Sequence, residues 1–407
     1  MKILFITDNF PPEVNAPASR TFEHCREWVE LGADVTVITC APNFPKGKVF
    51  AGYQNRLYQS EKIDGIQVIR VWSYIAENAG FIKRILDYVS FAVTAFWAGL
   101  FQKTDVIVAT SPQFFTTFTG YALSRLKRRP WVFELRDLWP ESIVTVGAME
   151  KGLAIRILER IERFMYQRAD LIVPVTEAFQ RRLRSYGIAA EKMYVVTNGV
   201  DGALFPARPR NDKLREELGL QNKFLIGYVG THGMAHNLEF VVEALAKFNE
   251  HDVHLLCIGD GARKPAIMEK AQRLGLSNVT FLDPVPKEET YLYLATLDAV
   301  LIPLRKADTF KTVIPSKIFE SAAMQKPILL GVDGEARGII ERYNAGLYFE
   351  PENAESFKKA LLRIKDEAGL RATCSAGGRA LAAAYDRRTL ARKMLDRIAM
   401  LTGTRYE

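Results

Sequence analysis

The sequence predicts an α/β protein with two Rossmann-like, doubly wound domains that face a central cleft. Short apolar runs alternate with longer amphipathic stretches along the first half of the chain. A polar segment at residues 201–212 interrupts this alternation, which then resumes. Apolar strands that alternate with helices are typical of a parallel sheet covered on both faces, and we therefore expect two such sheets.

The first half supplies seven candidate strands. The opening apolar run is too short for a signal peptide and indicates a buried first strand. Helical patterns lie between most of the strands, for example at residues 19–31, before Gly32, and at residues 153–168. We expect strands at residues 2–7, 34–39, 67–71, 106–110, 131–135, 171–175 and 194–196.

The interrupting segment contains Gly202, Pro206 and Pro209, which favours a linker between domains. We expect domains at residues 1–200 and 201–384, with a C-terminal helix at 385–407 packing back on the first domain. Ligands of such sheets bind at the carboxyl ends of the strands.

The second half supplies candidate strands at residues 224–229, 254–258, 279–282, 299–303 and 327–331, and helices at 354–366 and 387–401.

The composition is that of a soluble globular protein, with 407 residues, 48% hydrophobic and 25% charged. Four cysteines match no metal-binding or paired spacing, which favours buried free thiols in a reducing, cytoplasmic compartment.

The net charge of +8 is concentrated, because residues 120–190 hold 13 Lys/Arg against 8 Asp/Glu. This excess indicates either solvated helix faces or attraction to an anionic surface. Residues 81–102 form an apolar stretch beside Lys83, Arg84 and Lys103. Its length fits a core helix or an interfacial helix whose apolar face enters lipid, and is short for a membrane span. No recognition motif for nucleic acid accompanies the basic residues.

The sequence lacks the motifs of several enzyme classes. The sequence has no GxxxxGK[ST] loop, no GxGxxG after the first strand, no HExxH and no GxSxG. It also has no Asp-x-Asp pair for a metal-bound diphosphate. These absences disfavour P-loop hydrolysis, dinucleotide oxidoreduction and zinc or serine hydrolysis.

Two loops of the first half follow strands. Residues 8–20 join the first strand to the first helix, where backbone N–H groups can face an anion. Residues 134–142 contain Arg136 and Asp137 at the end of a strand. The Asp137 carboxylate can accept a proton from a sugar hydroxyl or position that hydroxyl, or it can cap the following segment.

Two loops of the second half suit a nucleotide. Residues 227–237 form a glycine-bearing turn whose N–H groups can approach a diphosphate, with His232 and His236 as further donors. In residues 306–320, Pro315 and Ser316 signal a helix start, which places Ser316 and Lys317 at a positive helix terminus. Glu320, one turn further, can accept hydrogen bonds from both hydroxyls of a ribose, or it is a first-turn charge favoured by the helix dipole.

At these residues the sequence resembles the retaining family 4 glycosyltransferases of the GT-B fold. The resemblance is strongest to bacterial transferases of O-antigen, capsule and colanic acid assembly, of the N-acetyl-L-fucosamine transferase type. It spans nearly the whole chain and is carried by FPPEVNAPASR, APNFPKGKVFAGY, EKIDGIQVIRVW, ELRDLWPES, TNGVD and TVIPSKIFESAAMQKPIL.

The resemblance implies a role for each loop. The first domain would bind the acceptor and the second the nucleotide sugar, with Glu320 on the ribose and Lys311 as a counter-charge for phosphate. It implies Asp137, Arg136 and Lys311 as catalytic residues and Asn15, Ser19 and Arg20 on the acceptor side. The implied donor-binding residues are Gly230, Thr231, His232, His236, Gly261, Val285, Pro315, Ser316, Lys317, Ile318 and Glu320.

Two positions depart from the family. Thr312 stands where a sugar-binding glutamate is frequent, and Arg136 stands where histidine is frequent before the aspartate. Both favour a UDP-linked donor without a 6-hydroxyl, such as an N-acetylated deoxy-amino sugar.

The resemblance further implies a polyprenyl-diphosphate-linked glycan acceptor, a peripheral position on the anionic inner-membrane surface, and neither metal nor other cofactor. A GT-B epimerase acting on free UDP-sugar is the alternative.

Overall fold

In the computed structural model, the chain divides into two units. Unit 1 comprises Met1–Thr197 and Arg387–Glu407, and unit 2 comprises Asn198–Asp386. The structure describes residues 1–44, 46–75, 81–111, 113–140, 152–248 and 250–404. The end of the ELRDLWPES motif, residues 141–142, lies outside them, as do the side chains of Phe81 and Ile82 in the apolar stretch at residues 81–102.

The sheet of unit 1 has seven strands in the order β3-β4-β2-β1-β5-β6-β7. All neighbours are parallel except β3 and β4, which form an antiparallel pair. The strands β1, β5 and β6 are buried along almost their whole length, as expected for a sheet covered on both faces. The strands are β1 Lys2–Ile6, β2 Asp34–Cys40, β3 Tyr58–Ile63, β4 Ile66–Val71, β5 Val106–Thr110, β6 Trp131–Leu135 and β7 Leu171–Pro174.

Six helices of unit 1 are described. The C-terminal helix packs in this unit, where the Trp28 indole N–H donates to the Ala391 carbonyl at 2.8 Å. The helices are α1 Ala16–Glu30, α2 Phe81–Leu100, α3 Phe115–Lys127, α4 Leu153–Arg168, α5 Glu177–Ser185 and, at the end of the chain, α14 Arg387–Thr402.

Unit 2 contains a parallel six-stranded sheet in the order β10-β9-β8-β11-β12-β13. Its apolar core lies on both faces of this sheet. The strands are β8 Phe224–Val229, β9 Val253–Ile258, β10 Val279–Leu282, β11 Ala299–Pro303, β12 Ile328–Gly331 and β13 Gly346–Tyr348. The helices are α6 Asp212–Glu217, α7 Leu238–Ala246, α8 Lys264–Arg273, α9 Thr290–Thr296, α10 Lys317–Ala323, α11 Glu335–Tyr343, α12 Ala354–Asp366 and α13 Ala368–Ala384.

The predicted class of two parallel-sheet α/β units is confirmed. One predicted strand is wrong, since residues 194–196 only run beside β7. There the Tyr194 N–H donates to the Ile172 carbonyl at 3.0 Å and the Val196 N–H to the Pro174 carbonyl at 3.1 Å, without forming a strand. The edge strands β3 and β13 were not predicted. No helix within the described ranges is long and apolar enough to cross a membrane.

Candidate functional site

The carboxyl end of β8 leads into a turn that holds several of the predicted donor-binding residues. Gly230 follows the strand with a φ of 130°, and its N–H donates to the Ile258 carbonyl of β9 at 2.8 Å. The His232 N–H donates to the Asp260 carbonyl at 2.8 Å. The turn after β8 is therefore hydrogen-bonded to the turn after β9, and both lie at the edge of the sheet where such folds bind ligands.

Two glycines allow three segments to meet at this edge. A Cβ on Gly230 would lie 2.6 Å from Cε of Lys317, which belongs to α10. A Cβ on Gly261 would lie 2.6–2.8 Å from backbone atoms of His232, and Gly261 has a φ of 157°. A larger residue at either position would push the segments apart. The predicted proximity of Gly230, His232, Gly261 and Lys317 is therefore a feature of the structure.

Tyr228, near the end of β8, is the centre of this arrangement. The Lys317 ammonium donates to the Tyr228 hydroxyl at 2.7 Å and lies 4.1 Å from the centroid of its ring. The Tyr228 hydroxyl donates in turn to the Thr231 carbonyl at 2.6 Å. The rings of His232 and His236 lie 5.5 and 5.7 Å from the Tyr228 ring. We call Tyr228, His232, His236 and Lys317 the Tyr228 cluster.

Burial disfavours the charged forms of the Lys317, His232 and His236 side chains in the Tyr228 cluster. Burial lowers the pKa of Lys317 to about 8, and the Glu320 carboxylate acts in the opposite direction by favouring the charged ammonium. Burial, with Lys264 and Lys317 nearby, lowers the pKa of His232 to about 4. Burial, with Lys317 and His232 nearby, lowers the pKa of His236 to about 3. At neutral pH both imidazoles are uncharged, and an anion at this place would favour their charged forms.

Helix α10 begins at Lys317, one residue after the predicted start. Ser316 makes no side-chain capping bond, while the Pro315 carbonyl accepts from the Ile318 N–H at 3.1 Å. Ile318 is fully buried in the core, so only its backbone is available to a ligand. Glu320 lies in the first turn of the helix and is half-buried. Its contact with a ribose stays a prediction.

Lys311 lies in a groove of about 260 Å³ whose lining contains no member of the Tyr228 cluster. Its ammonium pairs with the Asp308 carboxylate at 2.7 Å. The neighbouring Thr312 hydroxyl donates to the Thr309 carbonyl at 2.8 Å. Val285 is half-buried against the core of the unit. The role of Lys311 as a phosphate counter-charge stays a prediction.

In unit 1, the predicted acceptor-side residues lie at the start of α1. Asn15 caps the helix by accepting from the Ala18 N–H at 2.8 Å, and its amide donates to the Asn9 side chain at 2.6 Å. Ser19 is half-buried one turn further.

Arg20 is 1% exposed. Its guanidinium donates to Glu134 at 2.8 Å and to the Thr197 and Val196 carbonyls at 2.7 and 2.8 Å. These bonds give Arg20 a position inside unit 1, joining α1 to β6.

Arg136 joins the end of β6 to the same helix start. Its guanidinium donates to the Ala16 and Pro17 carbonyls, each at 3.0 Å, and burial lowers its pKa to about 10. The half-buried Asp137 directly follows it, with its N–H 3.3 Å from the Ser111 hydroxyl. Arg136, Asp137 and Asn15 therefore lie along one edge of the unit 1 sheet, where strands β1 and β6 end.

The sequence interpretation missed three carboxylic acids near the end of β1. Glu13 is buried and accepts from the Asn43 and Phe44 N–H groups at 2.7 and 2.9 Å. Burial raises its pKa to about 7, and burial raises the pKa of Asp87 to about 6. Burial also raises the pKa of Asp8. Glu13 and Asp8 lie in the proline-rich loop that the sequence singled out, but nothing in the pattern indicated which side chains turn inwards.

Tyr228 was also missed, because it reads as an ordinary apolar position of a buried strand. Within the part of the chain that the structure describes, no three His, Cys, Asp or Glu side chains are placed to hold a metal ion. In the Tyr228 cluster, Lys317 is a cation at neutral pH, and His232 and His236 can become cations only by taking up a proton.

Two family models match the chain, one in each unit. Residues 15–199 match the glycosyl transferase 4-like domain, and residues 223–367 match the glycosyl transferases group 1. The chain belongs to the glycosyltransferases of the GT-B fold and is an enzyme of that class.

Among its relatives is a colanic acid biosynthesis glycosyl transferase, WcaI, of Escherichia coli K12. It is 26% identical over 381 residues, which cover 90% of this chain and 93% of the relative. Two solved structures share the fold at lower identity. Anabaena HepE in complex with UDP-glucose has a TM-score of 0.74 at 19% identity, covering 98% of this chain and all of HepE. WaaG, a glycosyltransferase of lipopolysaccharide biosynthesis, has a TM-score of 0.69 at 16% identity, covering 97% and 98% of the two chains.

Proposed function

We propose that this glycosyltransferase moves a sugar from a UDP-linked donor onto a lipid-linked acceptor during synthesis of a bacterial surface polysaccharide. The observation that carries the donor half is the Tyr228 cluster at the carboxyl edge of the unit 2 sheet, where the half-buried Lys317 lies against buried Tyr228 and beside two histidines. The names of the relatives support the polysaccharide half, since WcaI is named for colanic acid and WaaG for lipopolysaccharide. HepE was solved with UDP-glucose, which supports UDP as the nucleotide.

The donor would lie along the turn after β8 and the start of α10. Glu320 would hold the ribose hydroxyls, Lys317 the diphosphate, and the backbone of Gly230, Thr231, Ser316 and Ile318 the phosphate oxygens. Pro315 would fix the start of α10, and Gly261 with Val285 would lie near the base. Such preorganised donors stabilise a leaving diphosphate without a metal or other cofactor.

Transfer would proceed with retention at the anomeric carbon. The bond between this carbon and the phosphate oxygen breaks, and the acceptor oxygen bonds to the same face. The acceptor proton passes to the leaving phosphate oxygen, so that no covalent enzyme intermediate is needed. Unit 1 would supply the acceptor contacts through Asn15 and Ser19, with Arg136 and Asp137 as its catalytic residues. In unit 2, Lys311 would be a further cation for the donor phosphate.

The donor sugar would lack a 6-hydroxyl, as an N-acetylated deoxy-amino sugar such as N-acetyl-L-fucosamine does. Thr312 supports this, because its hydroxyl already donates to the Thr309 carbonyl and a threonine offers no carboxylate to a sugar hydroxyl. A donor panel tests it. We expect UDP-N-acetyl-L-fucosamine to be turned over at least tenfold faster than UDP-glucose or UDP-GlcNAc, and the reverse order would contradict the assignment.

Thermal shift with UDP tests the donor site. UDP should raise the melting temperature of the wild type, because a ligand that binds only the folded state stabilises it. Glu320→Ala should weaken UDP binding about tenfold, which is about 1.4 kcal/mol of binding free energy. Glu269→Ala, an exposed glutamate of α8, is the matched control and should respond like the wild type. An unchanged response in Glu320→Ala would contradict the ribose assignment.

We further propose that the protein lies peripherally on the cytoplasmic face of the inner membrane, and the exposed side of helix α2 supports this position. Phe91 and Ala95 are 1% and 0% exposed and pack in the core of unit 1. Val93 and Trp97 are 52% and 59% exposed. Lys83 and Arg84 are exposed at the start of the same helix. An exposed apolar face beside basic side chains favours the surface of an anionic bilayer.

Vesicle flotation tests this surface. The wild type should float with phosphatidylglycerol vesicles and not with phosphatidylcholine vesicles, and high salt should weaken the binding. The double variant Val93→Ser/Trp97→Ser should lose flotation while keeping its melting temperature. Leu57→Ser/Tyr58→Ser, at exposed positions elsewhere in unit 1, is the control. Equal binding to both lipids, or an unaffected double variant, would contradict the membrane contact.

A further inference from the structure

His236 lies at the entry to helix α7. It ends the short turn Met234–His236, directly before the nine-residue helix α7. The Arg305 N–H donates to the Ala235 carbonyl at 2.9 Å, which fixes this turn against the segment that follows β11. The start of a helix carries unpaired N–H groups and a partial positive charge. His236 therefore faces an environment that disfavours its protonation as long as no anion is present.

Unpartnered imidazole nitrogens provide a second, independent sign of a missing ligand. His232 is 0% exposed, and neither of its ring nitrogens has a hydrogen-bond partner among the residues that the structure describes. The same holds for Nδ1 of His236. Buried polar atoms without partners are rare and costly in folded proteins. A bound phosphate group would supply the acceptors that protonated imidazoles require.

The charged and titratable groups around the two imidazoles come from five segments. Lys317 of α10 and His232 of the same turn disfavour its protonation. Lys264 of α8 acts in the same sense on His232, while Asp260, in the turn after β9, opposes it. Glu239 in the first turn of α7 is paired with Arg263, and Glu320 acts on Lys317. With burial added, the balance keeps both imidazoles neutral.

We propose that His236 takes up one proton from solvent when the diphosphate of the donor binds, so that His236 and Lys317 together offset its charge. This inference rests on the proposed function, because it requires a nucleoside diphosphate at the turn after β8. The proton returns to solvent when UDP leaves. His232, the fully buried histidine of the cluster, stays neutral and positions the turn through its N–H bond to the Asp260 carbonyl.

The negative charge of a diphosphate is large enough to protonate His236 at neutral pH. To be charged at pH 7, an imidazole with a pKa of about 3 needs its proton affinity raised about ten-thousandfold. One unit charge about 4 Å away, in partly buried surroundings, changes a proton affinity by about a thousandfold. A diphosphate brings at least two such charges, which exceeds the requirement.

Isothermal titration calorimetry of the full chain with UDP measures the proton directly. The binding enthalpy is measured at pH 7.5 in buffers of different ionisation enthalpy, and its slope gives the number of protons taken up. At this pH the terminal phosphate of UDP is already ionised, since its second pKa is about 6. Lys317, with a pKa of about 8, is about one quarter deprotonated and adds about a quarter of a proton.

The wild type should take up slightly more than one proton per UDP bound. His236→Gln, which keeps a hydrogen-bonding side chain but cannot gain a proton, should take up about a quarter of a proton and bind UDP about tenfold more weakly. His251→Gln, the same change at an exposed histidine of unit 2, should match the wild type.

Binding with a buffer-independent enthalpy, or undiminished uptake in His236→Gln, would overturn the protonation and leave the proposed function standing. Failure of the wild type to bind UDP would overturn both.

Discussion

Arg20 and Glu134 form an ion pair inside unit 1, with both side chains 1% exposed. The Arg20 charge lowers the pKa of Glu134 although burial acts in the opposite direction. The Thr197 and Val196 carbonyls accept from two further N–H groups of Arg20. Breaking such a pair leaves a buried charge without its partner, which is far more costly than the loss of a surface pair.

Glu134→Gln should therefore lower the free energy of unfolding by about 3–5 kcal/mol. Urea unfolding followed by circular dichroism measures it. Glu177→Gln removes the carboxylate of an exposed pair with Arg181 and should cost less than about 1 kcal/mol. Equal effects of the two substitutions would show that the Arg20–Glu134 pair contributes no more than a surface contact.

The lowered pKa of His236 also predicts how stability depends on pH. The unfolded chain takes up a proton at this residue as the pH falls below about 6.5, and the folded chain does so only near its pKa of about 3. Because the unfolded chain binds this proton at a higher pH than the folded chain, the free energy of unfolding decreases as the pH falls. Relative to the wild type, His236→Gln should gain about 2 kcal/mol between pH 7 and pH 5. Urea midpoints at both pH values measure the gain, and a constant difference would contradict the lowered pKa.

At the residue scale, the sequence predicted the parts of the site that are local in the chain. The spacing of Ser316, Lys317 and Glu320 needs only the period of one helix. The contact of Lys317 with Tyr228 spans 89 positions and depends on the sheet order, which no local pattern contains. The resemblance implied Arg20 on the acceptor side, whereas its bond to Glu134 spans 114 positions and could not be predicted from a local pattern.

At the scale of elements, helix α14 packs on unit 1, as expected for the C-terminal helix from the sequence. It ends the chain but contributes fully buried Met394 and Leu395 to the core of unit 1. The pair of Arg387 and Glu23, at 2.9 Å, fixes its start against α1. The helix is therefore part of the unit that holds the first 197 residues.

Leu395→Ala should lower the free energy of unfolding by about 2–5 kcal/mol, because it removes a fully buried side chain and leaves a cavity. Chemical unfolding of the full chain measures it. Met400→Ala changes a side chain of the same helix that is 71% exposed and should alter stability by less than about 0.5 kcal/mol. A loss below about 1 kcal/mol for Leu395→Ala would contradict the core position of this helix.

The buried strands could be predicted to within one or two residues because each is a continuous apolar run between turn signals. Strand β3 could not, since it alternates exposed and half-buried side chains and contains four polar ones. Strand β13 has three residues and no apolar run of its own. Residues 194–196 were wrongly predicted as a strand because they are apolar. Their apolar side chains pack against the core of unit 1 beside β7 without forming a strand.

At the scale of the whole molecule, two α/β units in one chain and two matched glycosyltransferase models define the class of enzyme. The class could be predicted from motifs in both halves. The choice of donor sugar could not be predicted in the same way, because it depends on a few side chains, such as Thr312 and Arg136, whose contacts are determined by the fold. The central claim is therefore narrower than the class: the nucleotide binds in unit 2, between the turn after β8 and the start of α10.

Hydrogen–deuterium exchange with and without UDP tests that claim most directly. A bound diphosphate should slow exchange at the backbone N–H groups of residues 229–238 and 315–323, because these groups would donate to phosphate oxygens or lie in the ordered turn. Helix α12 and strand β3 serve as internal references and should exchange at unchanged rates. If UDP binds but neither segment gains protection, the account of the donor site is wrong.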